Sequence, residues 1–84
     1  MYKIIYRKSA VKALSKMPRK IAEKFTGSFS LLADNQEDGL DIKKLEGREG
    51  FRLRIGSYRA IYHKINEIMV IDVINVGIRG DIYK

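Results

Sequence analysis

Arg52, Arg54, Arg59 and Arg79 are the residues of this chain best suited to chemistry. A guanidinium is permanently charged and presents planar, paired N–H donors that match a phosphate or a carboxylate. Phe51-Arg52-Leu53-Arg54-Ile55 alternates between apolar and basic residues, the period of a half-buried strand. Gly56-Ser57 follows and suits a two-residue type II′ hairpin turn. That turn pairs Ile55 with Tyr58, Arg54 with Arg59, Leu53 with Ala60, Arg52 with Ile61 and Phe51 with Tyr62. Arg52, Arg54 and Arg59 then share one face, and Arg79 follows the next strand toward it. Like charges directly opposite each other cost a few tenths to about 1 kcal/mol, and no local counter-charge is evident in the sequence. The alternative is a solvated face carrying arginine for solubility; the shared register of three arginines favours an anion site. Asp72 falls on the same face, as an anchor for one of them, and His63 is expected as a surface strand histidine there.

The rest of the chain must position these groups. Tyr2 to Arg7 reads as a strand, with Ser9 as the cap of a helix whose apolar face is Ala10, Ala13, Leu14 and Met17. Pro18 ends that helix and suits the first turn of a second. The second carries Ile21, Ala22, Phe25, Phe29 and Leu32 on one stripe, with Gly27 a mild weakness in it. Residues 34–50 read as an acidic, loop-rich stretch tacked to the core by Leu40, Ile42 and Leu45. Asn66-Glu67 reads as a turn and Met69 to Val76 as a central strand ended by Gly77. The expected fold is α+β: an N-terminal strand, a two-helix hairpin, then a three-stranded antiparallel meander, helices on one sheet face, with residues 1–84 as a single domain.

Composition bounds the function. The chain has 84 residues, 17 Lys+Arg against 10 Asp+Glu, one His and no Cys, for a net charge of +7. No disulfide, cysteine-ligated zinc or thiol nucleophile is available. No apolar run is long enough for a transmembrane helix, and the start lacks a secretory pattern, so the expectation is a cytoplasmic protein with no membrane partner. The charge is +7 over residues 1–33, −3 over 34–50 and +3 over 51–84. The first excess includes Lys12, Lys16, Lys20 and Lys24 on helix backs, suited to RNA or to an acidic protein. The tripeptide Arg79-Gly80-Asp81 is read as coincidence rather than an adhesion motif.

Leu45-Glu46-Gly47, Gly50 to Tyr62 (GFRLRIGSYRAIY) and Val76-Gly77-Ile78-Arg79 through Ile82-Tyr83 together resemble the RelE/ParE superfamily of toxin–antitoxin toxins. The motifs cover about half the chain. The resemblance implies, for the RelE-like branch, a ribosome-dependent endonuclease that cuts mRNA in the A site with no metal and no cofactor. The ribose 2′-OH attacks the adjacent phosphate and expels the 5′-oxygen. It implies catalytic positions at Arg52, Arg54, Arg59, Arg79 and Tyr83, with Tyr83 stacking on a base, and an acidic antitoxin as partner. The ParE branch implies instead a protein-binding inhibitor of DNA gyrase, and a non-catalytic relative is the third reading. Two departures stand out. Ile78 occupies a position where relatives often carry His, and Arg52 and Arg54 stand where they often carry Lys, so no general base is evident.

Overall fold

The computed structural model describes residues 1–78. Arg79 and Tyr83, and the closing segment they belong to, lie outside the described residues. The elements are β1 (Lys3–Tyr6), α1 (Lys8–Lys16), α2 (Arg19–Ala33), β2 (Ile42–Lys44), β3 (Phe51–Ile55), β4 (Tyr58–Ile65), a short 3₁₀ turn (Asn66–Ile68) and β5 (Val70–Ile78). The strands form one sheet in the order β1-β5-β4-β3-β2. β1 runs parallel to β5 and every other neighbouring pair is antiparallel. The fold is the expected α+β arrangement, with one more strand than the sequence suggests.

That extra strand is β2, inside the stretch read as loop. Ile42 pairs with Leu53 and Lys43 with Arg52. Three residues, two of them consecutive lysines, carry no readable alternation, and only the neighbouring strand makes the segment extended. The β3–β4 hairpin has the expected register, from Ile55 with Tyr58 to Phe51 with Tyr62. Gly56 supplies the positive φ (58°) its turn requires.

Both helices pack on one side of the sheet. Ala10 from α1 and Phe25, Phe29 and Leu32 from α2 meet Leu53, Ala60, Tyr62, Ile71, Val73 and Val76. The Phe29 ring stands edge-on to Tyr6 at 6.0 Å and to Tyr62 at 5.4 Å, the geometry that ring quadrupoles favour. Each such side chain contributes about 1.5–3 kcal/mol by leaving water. Alternation therefore commits the other sheet face to Arg52, Arg54 and Arg59.

Three local expectations change. Ser9 does not cap α1; Arg7 holds that place, and the Ser9 hydroxyl donates to the Ile74 carbonyl at 2.9 Å. β5 has a bulge, because Ile61 pairs with Asn75 but Tyr62 with Val73, so Ile74 falls between them and its carbonyl takes the hydroxyl. Pro18 flanks α2 rather than entering its first turn, and its carbonyl accepts from Ile21 and Ala22. Gly77 does not end β5. It lies opposite Arg59, and the ladder continues to Tyr58 with Ile78. Leu40 and Ile42 pack on the core as expected, whereas Leu45 borders the cleft described next.

Candidate functional site

Arg52 and Arg54 lie two residues apart on β3, so both side chains leave the outer sheet face. Arg59 of β4 is directly opposite Arg54. Asp41 sits just before β2, and its carboxylate bridges two of the three arginines. Arg52 Nη2 donates to Asp41 Oδ1 at 2.9 Å, and Arg54 Nε to Oδ2 at 2.8 Å. The Arg54 backbone N–H also donates to the Asp41 carbonyl at 3.0 Å. The expectation of uncompensated cations is thereby corrected: β2 delivers a carboxylate that the sequence leaves eleven and thirteen residues away.

Asp41 also sorts the arginines. Arg52 is held with only 15% of its side chain exposed, and its Nε is buried without a hydrogen-bond partner. It lines a cleft of about 470 Å³ together with Arg59, Lys43, Lys44 and Arg48. Arg54 turns the other way, to a groove of about 450 Å³ that it shares with Lys24, Leu31 and Leu40 beside α2. Among the described residues the first cleft thus gathers five cationic side chains, with Leu45 and a single carboxylate, Glu46, in its wall. Five positive groups on one concave surface concentrate field lines and draw a polyanion.

Lys43, Lys44 and Arg48 are functional candidates that the sequence reading missed. They lie in the segment whose net charge is −3, so average charge concealed them. The β2 pairing of Lys43 with Arg52 brings the cations to one side, while Asp41 is taken up by Arg52 and Arg54, Glu37 by Lys64, and Glu46 stays in the cleft wall. The signal available was positional: a Lys-Lys pair and an arginine within a few residues of the basic strand.

The loop that carries Glu46 and Arg48 is tightly closed. The Leu45 N–H donates to the Gly50 carbonyl at 3.0 Å, and Gly50 has φ of 117°. A Cβ on Gly50 would stand 2.8 Å from His63 Cδ2 and 3.2 Å from the Tyr62 carbonyl, so only glycine fits. His63 lies on the outer face as expected, and its Nε2 is 3.2 Å from the Glu49 carbonyl. It lines a neighbouring pocket with Glu49 and Gly50 rather than the arginine cleft.

Asp72 shares the outer face but anchors Arg7, which reaches it with Nε at 3.3 Å and Nη2 at 2.9 Å. The reason is register: β1 pairs Ile5 with Asp72, which leaves Arg7 two residues farther on the same face. The carboxylate hydrogen bond pushes the Arg7 guanidinium pKa up. Lys12, Lys16, Lys20 and Lys24 are exposed on the two helices, across the sheet from the cleft. Among the described residues no group of three or more His, Asp or Glu is placed to share a metal ion, and no helix is long and apolar enough to cross a membrane.

A family model described as the ParE toxin of the type II toxin–antitoxin system parDE matches residues 4–83. No curated protein matches the chain. Among solved structures, the archaeal RelE–RelB complex from Pyrococcus horikoshii aligns with TM-score 0.79 and 29% identity, covering 95% of this chain and 97% of that one. The RelB–RelE antitoxin–toxin complex of Methanococcus jannaschii aligns with TM-score 0.77 and 27% identity, covering 94% of each. The isolated E. coli RelE toxin aligns with TM-score 0.76 over 99% of this chain and 92% of that one; at 22% identity it speaks for the fold alone.

Proposed function

We propose, from the premise that the chain belongs to the ParE toxin family of type II toxin–antitoxin systems, within the RelE/ParE superfamily, that it is a toxin of the RNA-cleaving kind. It enters the ribosomal A site in the cytoplasm and cuts the mRNA there by 2′-OH attack on the adjacent phosphate. The observation that carries this reading is the cleft in which Arg52, Arg59, Lys43, Lys44 and Arg48 converge, with one carboxylate among the described residues of its wall. RNA offers what such a cleft takes: a row of phosphates along a strand that can be splayed open.

In this reading Arg52 and Arg59 bind the scissile phosphate and stabilise the charge that grows on it in the transition state. Arg79 and Tyr83 join them on the strength of the family resemblance, Arg79 at the phosphate and Tyr83 stacked on a base. Arg54, turned aside by Asp41, takes a neighbouring phosphate rather than the reacting one. The exposed lysines of α1 and α2 face ribosomal RNA during attack and an acidic antitoxin otherwise. The structural relatives crystallised as RelE–RelB complexes support such a partner.

The second reading is a ParE-like inhibitor that binds DNA gyrase. The family model itself favours it, as does Ile78 where RelE-like relatives often carry His. The deciding experiment is brief induction of the chain followed by mapping of mRNA 5′ ends. Cuts confined to translated frames are expected. Intact mRNA together with inhibited supercoiling by purified gyrase would move the chain to the second reading. Arg59→Ala and Arg79→Ala should each abolish growth arrest while antitoxin capture persists; full toxicity of both would refute the site.

A further inference from the structure

RNA cleavage by a 2′-OH needs an acceptor for the hydroxyl proton, and among the described residues the cleft offers few. A guanidinium has no acceptor, and a protonated lysine has none either. His63 is turned to the Glu49 carbonyl and lines a different pocket. The Asp41 carboxylate already accepts from Arg52 and Arg54 through both of its oxygens. Glu46 remains. Among the described residues it is the one carboxylate in the wall of the cleft that holds Arg52 and Arg59, and its side chain has neither a hydrogen bond nor an ion pair there. Its loop is set by the Leu45–Gly50 closure and by the contact of Gly50 with His63, so the carboxylate is presented from a fixed backbone.

We propose that Glu46 is the general base of the reaction, a role that rests on reading the chain as an RNA-cleaving toxin. Its carboxylate takes the 2′-hydroxyl proton as the 2′-oxygen forms a bond to phosphorus. The P–O5′ bond breaks, and the 5′-oxygen leaves with that electron pair and takes a proton from water. The products are a 2′,3′-cyclic phosphate and a 5′-hydroxyl, and Glu46 returns its proton to solvent. The surrounding cations hold the phosphate beside the base and neutralise the dianionic transition state. The division of labour between the two acids follows from their engagement: Asp41 positions arginines, and Glu46 is left to move the proton.

The test compares wild type, Glu46→Gln and Glu46→Asp on ribosomes programmed with a defined mRNA. Glu46→Gln keeps the size and removes the acceptor charge. Its single-turnover rate should fall about 10²–10⁴-fold, the usual worth of a general base. Affinity for programmed ribosomes whose mRNA carries a 2′-deoxy nucleotide at the attacking position should be kept or increased. Glu46→Asp should recover part of the rate. If Glu46→Gln cleaves within about threefold of wild type, the base assignment is overturned while the RNA-cleaving reading stands. If wild type itself leaves the programmed mRNA intact, the RNA-cleaving reading fails and the base role falls with it.

Discussion

Asp41 shows how one side chain decides what its neighbours do. Arg52 and Arg54 have the same residue type and the same strand face, yet one enters the cleft and the other leaves it. The difference is the carboxylate between them, 2.9 Å from one and 2.8 Å from the other. Exposed ion pairs contribute 0–1 kcal/mol, whereas stripping a buried charge of its partner costs several. Arg52 is mostly buried and Arg54 and Asp41 are about half exposed, so Asp41→Ala should cost about 1–2 kcal/mol, between those limits. Denaturant unfolding measures it. A double-mutant cycle with Arg52→Ala should return most of the coupling, and one with Arg54→Ala much less. Asp41 and Glu46 thus differ in kind: Asp41 is part of the fold's charge balance, and Glu46 lines the cleft with no ion pair among the described residues.

The strands and loops hold these side chains through a few backbone requirements, and the two most informative glycines have opposite ones. Gly50, with φ of 117° and no room for a Cβ, closes the loop that presents Glu46 and Arg48. Gly50→Ala should destabilise by about 2 kcal/mol or more, from backbone strain and from displacing His63. On the RNA-cleaving reading proposed above it should also weaken cleavage, because the cleft wall moves. Gly27 is in the middle of α2 with nothing within 4 Å of an added Cβ. Gly27→Ala should stabilise by about 0.5–1 kcal/mol through helix propensity. Thermal melts of the two variants, run side by side, separate a glycine the fold needs from one it only tolerates. The same contrast explains what could be read in advance. A two-residue turn at Gly56-Ser57 fixes the parity of both flanking strands, so the arginine register was readable from local sequence. The helices were readable because Ala10, Phe25, Phe29 and Leu32 follow a helical period. β2 was not, since three residues carry no period. Neither was the parallel pairing of β1 with β5, whose partners are 67 residues apart by number and have no local signal. Asp41 as the arginine clamp and the entry of Lys43, Lys44 and Arg48 into the cleft both depend on β2, so they were hidden with it.

The whole molecule divides its work between two sheet faces, and Tyr62 belongs to the face that keeps it folded. Its ring lies between Phe29 and Phe51 with 1% of the residue exposed. Burial pushes its phenol pKa well above the ordinary value of 10.0, and the nearby negative charge of Glu37 pushes in the same direction. In the unfolded chain the phenol releases its proton near the ordinary value, whereas in the fold it still holds it. Above pH 10 the unfolded state therefore binds fewer protons than the native state, and stability falls as pH rises. Below that value both states hold the proton and the contribution is fully present. The slope is at most about 1.4 kcal/mol per pH unit for each such phenol. Tyr6, raised by burial as well, adds to it. Tyr62→Phe keeps the ring and removes the ionisable group. Its stability should track wild type, with at most a constant offset, from pH 7 to about 9.5, and exceed that reference increasingly from pH 10 upward. Denaturant midpoints measured across that range check the prediction, and parallel curves for the two proteins above pH 10 would show that Tyr62 ionises without cost.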